Sequence, residues 1–422
     1  MYSKKKTGTY LICVFFFLML TLPASFQIFR GVLLMIILFL AVQNISSTAF
    51  RYDKTILIIG LINIFFSFLF ILNGFVRSTP GAIRVSTVFL IWPILYFYFI
   101  GLSDKVLTLR PILNTIIYGG LGSVALILIF VFNNFLGFPI DISYLVKSQD
   151  FGFYWGSGAV EMNSMNLATV LYVFVFILTI LLMPSKLNFL NFKKHTIVFT
   201  FLISTILLFI SARRAFWVVC AISPVIIFAL LKLSKINLRI KRFIIPAILF
   251  FSIVFVFVGY LALDNDNLII ELKSSFEFDN PEAESNFIRK EQYDALINGW
   301  EENRFFGAGL GASAKGSIRD VDAPWAYELS YVALLFQTGI VGVIIYLSSV
   351  LWIIYKSIII CRKNSYYVFY LLPQIAALIC FLLANATNPY LAKFDYLWTI
   401  FLPLATINAI KLDSNKFNAI EN

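Results

Sequence analysis

Apolar runs of about 18–22 residues recur from one end of this chain to the other. Each is long enough to cross a hydrocarbon core about 30 Å thick. About twelve can be read, near 10–28, 31–49, 55–75, 84–102, 112–132, 162–183, 196–211, 214–232, 243–263, 327–355, 367–386 and 396–411. A water-soluble fold cannot bury so many. With 60% hydrophobic and 13% charged residues, the composition is that of an all-α, polytopic integral membrane protein. The expected organisation is a single polytopic domain over 1–422. The first run follows Lys4, Lys5 and Lys6 but lacks a small-x-small cleavage pattern and leads at once into a second run, so it reads as a retained helix.

Charge orients the spans. With both termini in the cytoplasm, 20 of the 33 Lys and Arg residues fall inside, and six of the other 13 lie in one long outer loop, where charge counts little for orientation. Carboxylates divide the other way, with 18 of 22 outside. The net charge of +11 therefore reflects topology and anionic membrane lipid, not nucleic acid. The long loop spans 264–326 and holds most of the outer carboxylates; a second, 133–161, carries Asp141, Lys147, Asp150 and Glu161. A chain that gathers its polar residues there works on something presented at the outer surface.

The four cysteines (Cys13, Cys220, Cys361, Cys380) show no CxxC spacing and lie outside the long loop. No disulfide framework, zinc site or cofactor is expected. The single histidine, His195, follows Lys193 and Lys194 at a helix end and reads as a solvated interfacial residue, which excludes a His-based triad.

Four places carry candidate chemistry. Arg213 and Arg214 follow Ser211 and Ala212 where two apolar runs meet on the outer side. Arginine at membrane depth costs roughly 2.5–3.5 kcal/mol at a helix centre and less near the interface. These two either snorkel to headgroups or bind an anion. Residues 285–300 have an amphipathic pattern that puts Arg289, Tyr293, Leu296 and Trp300 on one face. Arg289 either packs its stem there or aims its charge into a site. Gly307, Gly309 and Gly311 form a glycine-rich turn without the βαβ context of a nucleotide fingerprint, suited instead to close backbone approach to a ligand. Glu328 is read as the start of the next span, sharing a face with Tyr331, Val332, Leu335, Gly339 and Gly342. It is either paired with an arginine or free to act as a base, and the two glycines would admit a neighbouring helix.

These features together resemble the O-antigen polymerase and ligase superfamily. The resemblance rests on the span count, the late outer loop, the Ser211–Arg214 corner, the arginine-bearing helix before Gly-x-Gly-x-Gly, Glu-Leu-Ser-Tyr331 with Gly339 and Gly342, and Asn388-Pro389-Tyr390. Ligases of the superfamily carry a His–Asn pair before the aromatic that Tyr331 matches. Glu328 and Leu329 stand there instead, which points to the polymerase (Wzy-type) branch. The resemblance implies an enzyme of the bacterial cytoplasmic membrane that joins undecaprenyl-diphosphate-linked repeat units on its outer face, with a chain-length regulator protein as a candidate partner. It implies catalytic roles for Arg213, Arg214, Arg289 and Glu328, and substrate contacts from Gly307, Gly309, Gly311, Tyr331 and Trp300. Trp300, Trp325 and Tyr331 either stack on sugar rings or belt the interface.

Two rivals remain. A lipid-linked oligosaccharide flippase or other transporter would place charges along mid-membrane helix faces and keep its loops short; no internal repeat of the transporter kind is visible. A ligase or protein-glycosylating relative would share the layout.

Overall fold

The computed structural model describes residues 2–43, 51–102, 106–137, 140–155, 160–183, 193–236, 284–317 and 320–418. The chain is all-α. Its helices are α1 (Tyr2–Thr21), α2 (Gln27–Gln43), α3 (Lys54–Val76), α4 (Ala82–Ser86), α5 (Trp92–Leu102), α6 (Val106–Leu136), α7 (Ser143–Ser148), α8 (Asn166–Leu182), α9 (Lys194–Ile210), α10 (Arg214–Leu233), α11 (Glu284–Glu302), α12 (Ser330–Lys363), α13 (Val368–Asn385) and α14 (Trp398–Asn418). A π-turn at Thr87–Ile91 joins α4 and α5 into one apolar segment. Among the described residues, six helices are long and apolar enough to cross a membrane, and four shorter apolar helices accompany them. Ten of the expected spans coincide with these helices and the last, 396–411, with α14; the one at 243–263 lies outside the described residues.

Several boundaries differ from the sequence reading, such as the end of α1 at Thr21 and of α12 at Lys363, and two of them lie near the candidate site. The span expected from 162 begins at Asn166, because Gly152–Trp155 (β1) and Val160–Asn163 (β2) pair as an antiparallel hairpin. The Ser164 hydroxyl then accepts the Asn166 N–H at 3.1 Å and opens the helix. The span expected from 327 begins at Ser330.

α8 is the axis of the bundle, buried on every side along almost its whole length, as an all-round apolar sequence requires. It packs against α6 and α13. α6 lies close because it offers glycines there: a Cβ on Gly119 would strike Leu20 of α1, and one on Gly120 would strike Val173 of α8. Buried Asn166 donates to the Thr21 carbonyl at 2.7 Å and to Ser123 Oγ at 3.2 Å, joining the same three helices by polar contacts.

The segments between helices meet in two groups, and the groups follow the alternation read from charge. In one, Gly81 N donates to Gly311 O at 3.0 Å, Met162 N to Ser211 O at 3.2 Å, and Tyr396 Oη to Met165 O at 2.6 Å. In the other, Lys411 Nζ contacts Asp53 Oδ1 at 2.6 Å, and Asn408 bonds the backbone of Arg51, Asp53 and Ile100.

A buried ion pair between Arg30 of α2 and Asp395 clamps the outer segment 386–397. Both side chains are 5% exposed, and the guanidinium also lies over Phe394. Burial pushes the Asp395 carboxyl above the usual carboxylate range, and Arg30 opposes that shift.

α12 is broken inside its apolar run, at Gly339, where φ is 64° and ψ −173°. Two helical bonds are lost there, those from Ile340 N to Phe336 O and from Val341 N to Gln337 O. The segment before the helix supplies replacements. Ile340 N donates to Arg304 O and Val341 N to Phe305 O, while Ala308 N donates to Phe336 O and Gly309 N to Gln337 O, at 2.9–3.2 Å. Four inter-segment bonds thus take up the two donors and two acceptors that those helical bonds would have joined. The glycine pair expected to admit a neighbouring helix divides its work. Gly342 faces Phe70 of α3, whereas Gly339 faces the Phe305 carbonyl, and a Cβ there would overlap it.

Gly339→Ala is therefore expected to destabilise the detergent-solubilised protein by about 2 kcal/mol or more. Gly31→Ala, with open space around it, is expected to be neutral or slightly stabilising. Arg30→Met or Asp395→Leu alone is expected to lose about 3–5 kcal/mol, and the double change much less than the sum. Unfolding midpoints of the purified variants check all of these.

Candidate functional site

α11 forms where an amphipathic helix is expected, but the face it buries is rotated. Gln292 and Leu296 are fully buried and Trp300 half-buried, while Tyr293 points outward and is 49% exposed. Leu296 packs with Phe336, Ala333, Tyr327, Ala312 and Ala314, so α11 stands on the first turns of α12 through a small core of its own. Tyr327 completes that core by accepting the Ala314 N–H on its hydroxyl at 2.6 Å.

This packing sets Arg289 over Glu328. The guanidinium Nε lies 2.7 Å from Glu328 Oε2, with the side chains 35% and 21% exposed. Pairing and a base role are compatible readings of Glu328, and the pairing is formed. Its place corrects the sequence reading. Glu328 stands before the helix, with Leu329 at the N-cap and Ser330 the first helical residue. It therefore shares no helix face with Gly339, and the break at Gly339 would end such a face in any case. An accessible ion pair of this kind contributes about 1 kcal/mol or less; its consequence is placement. One turn on, Gln292 Oε1 accepts the Glu328 backbone N–H at 3.1 Å. Among the described residues, Gln292 Nε2 is buried without a hydrogen-bond partner, a defect worth about 1–3 kcal/mol.

The glycine-rich turn threads between two helix ends. Gly307, Gly309 and Gly311 have φ of 69°, 97° and 82°. A Cβ on each would meet backbone, of Gln337 and Thr338, of Asn73 and Gly74, and of Gly81 and Ala82 respectively. The close approach these glycines permit is thus to the protein's own chain. Trp300 Nε1 donates to the Arg304 carbonyl at 3.1 Å and steadies the turn from α11.

Arg213 belongs to a second cluster. The corner between α9 and α10 turns through Ala212 at φ 54°, and Arg213 is the N-cap of α10. Its guanidinium reaches Asn388 Oδ1 at 3.0 Å, the Tyr390 hydroxyl at 3.2 Å and Asn163 Oδ1 on β2, and its carbon lies 5.9 Å from the Phe216 ring centre. Arg214, half-buried, is the first residue of α10. The hairpin, the α9–α10 corner and the 386–397 segment therefore converge on one guanidinium. These neutral acceptors fix the direction of the guanidinium.

The C-terminal end of α13 borders both clusters. Ser330 Oγ donates to the Asn385 carbonyl, and Tyr331 Oη to Leu382 O at 2.6 Å. Asn385 Oδ1 accepts the Leu391 N–H at 2.8 Å, three residues beyond Asn388. Asn163, Asn385 and Gln292 were absent from the residues singled out by sequence. A lone amide carries no spacing signal; only the Asn-Pro-Tyr run at 388–390 was legible. Among the described residues no group of three or more His, Cys, Asp or Glu is placed to hold a metal ion, and the four cysteines are free thiols.

Comparison with known families bears on these residues directly. Residues 199–347 match the family model described as O-antigen ligase. The match places this segment in the O-antigen polymerase and ligase superfamily. It covers about a third of the chain, α9 through the first half of α12, and contains all nine candidate site residues, from Arg213 to Tyr331. No curated protein and no solved structure matches the chain. The match supports glycan transfer at the level of the superfamily, and six of the described helices are long and apolar enough to cross a membrane.

Asn163→Ala and Asn388→Ala are each expected to lose about 1.5–3 kcal/mol, the range for a hydrogen bond to a charged group. Neither loss should add fully to that of Arg213→Ala, with a coupling of about 0.5–3 kcal/mol. Denaturation of the single and double variants in one detergent measures the coupling.

Proposed function

We propose that the chain is a polysaccharide polymerase that joins undecaprenyl-diphosphate-linked repeat units on the outer face of a bacterial cytoplasmic membrane. In this reading 1–422 is one polytopic domain, the loop 264–326 lies outside, and both termini face the cytoplasm. The observation that carries the reading is the Arg289–Glu328 pair, a cation and a carboxylate in contact at the outer end of the bundle.

The chemistry follows from what each group can do. A hydroxyl at the non-reducing end of one repeat unit attacks the anomeric carbon of the growing chain. A new C–O bond forms, the bond to the diphosphate oxygen breaks, and undecaprenyl diphosphate leaves with the electron pair. Glu328 takes the hydroxyl proton, a contribution of typically about 10²–10⁴-fold. The negative charge gathering on the diphosphate needs fixed donors. Arg289, Arg213 and Arg214 supply them, and Arg213 arrives already directed by Asn163 and Asn388. Trp300 and Tyr331 offer aromatic faces to sugar rings. Gly307, Gly309 and Gly311 shape the floor of the site by bringing the turn against α3 and α12. A chain-length regulator protein is the partner this activity calls for.

The printed family description favours a second reading, transfer of a finished glycan to a different acceptor. Against it stands the sequence at 328–329, Glu-Leu where the ligases it resembles carry His-Asn.

Removal of the gene, with surface polysaccharide resolved by gel, separates the two. The polymerase reading expects single repeat units still attached to their acceptor; a ligase or flippase would leave no repeat unit at the surface. On complementation, Arg289→Ala is expected to lower chain growth by about 10²–10³-fold, and Glu328→Gln by about 10²–10⁴-fold. Full-length chains in both variants would refute these residue roles.

A further inference from the structure

α11 grips Glu328 twice, from positions one turn apart, and the two grips differ in kind. Arg289 holds the carboxylate by a contact that water reaches. Gln292 holds the backbone: its side chain is fully buried, and Oε1 accepts the Glu328 N–H at 3.1 Å. The orientation of this carboxamide is dictated, since turning it over would set its NH2 against the N–H of Glu328. Among the described residues, Nε2 is then left buried without a hydrogen-bond partner. A methionine of similar shape would fill the same space without burying Nε2, but would give up the acceptor that holds the Glu328 N–H. Packing therefore does not account for a glutamine at 292.

We infer that Gln292 is a positioning residue, which keeps Glu328 in place when Arg289 lets go of it. The inference rests on the reading of Glu328 as the base and Arg289 as a partner of the leaving diphosphate. A solvent-accessible ion pair exchanges its partners and is screened by ions, whereas a buried backbone contact persists. When Arg289 turns to the diphosphate, Glu328 loses that contact but keeps its anchor. Its carboxylate stays where the incoming hydroxyl meets it. Nε2, on the same carboxamide, is then a donor available to the carboxylate that Arg289 has released.

The test uses the purified full-length chain in nanodiscs. Its substrate is the lipid-linked repeat unit extracted from cells lacking the gene. Gln292→Leu and Gln292→Met are compared with the unaltered chain, alone and combined with Glu328→Gln. Monodisperse elution and an unchanged or raised unfolding midpoint show that at least one of the two variants is folded. The expected result is a kcat lowered by about 10–10²-fold with KM within about threefold, and less than about threefold further loss in the Glu328→Gln background. An unchanged kcat, or an equal loss with and without Glu328, would overturn the inference. Failure of the underlying reading appears in other arms. No chain growth by the unaltered chain, or a full rate with Glu328→Gln alone, overturns that reading and this inference with it.

Discussion

The structure depends on a backbone exchange at Gly339. An apolar helix that crosses a membrane must satisfy every N–H and C=O within itself or by protein neighbours, because lipid offers no partners. α12 gives up two of its own bonds at Gly339 and recovers them from Arg304–Gly309. The break therefore exists only because the preceding polar segment is laid against it. In return, the segment gains a fixed place at one end of the bundle. Leu310 N bonds Phe70 O and Gly81 N bonds Gly311 O, so α3 and the turn before α4 are tied into the same seam. With the turn fixed, α11 has a platform, and Arg289 meets Glu328 as a result.

The second cluster is held by a different device. Arg213 sits at a helix corner and is directed by amides from two other segments. One of these, 386–397, is clamped from beneath by the buried Arg30–Asp395 pair. Such a pair contributes little net stability, because desolvation of both charges offsets their attraction. It does fix geometry, since separating the two partners is costly. This end of the bundle thus has two arginine centres, one held by a helix standing on α12 and one by loops around α13. Both border the C-terminal end of α13, which spaces them.

Much of this was legible in the sequence. The membrane class, the position of almost every span and the segregation of charge follow from hydropathy and positive-inside counting, which are properties of long windows. The Arg289 helix was legible because its period is local. Its buried face was not. Gln292 rather than Tyr293 turns inward, a choice made by the shape of the Leu296–Phe336 core. Glu328 was placed on a helix because the apolar run begins nearby, but helix starts are set by capping and by contacts from distant residues. The glycines were read as sites of close approach to a ligand, whereas what approaches them in the structure is backbone, more than two hundred residues away in the case of Gly309 and Gly74. The amides around Arg213 come from two other parts of the chain, and one sequence holds no signal for such convergence.

The central claim is that the two arginine centres and Glu328 serve growth of a glycan on its lipid carrier. The most direct measurement follows the purified chain in lipid vesicles with lipid-linked repeat units as the sole substrate. The account predicts products that are whole multiples of the repeat unit, still attached to lipid diphosphate, with one undecaprenyl diphosphate released for each joining event. Repeat units that stay single and move only when a different acceptor is added would contradict it.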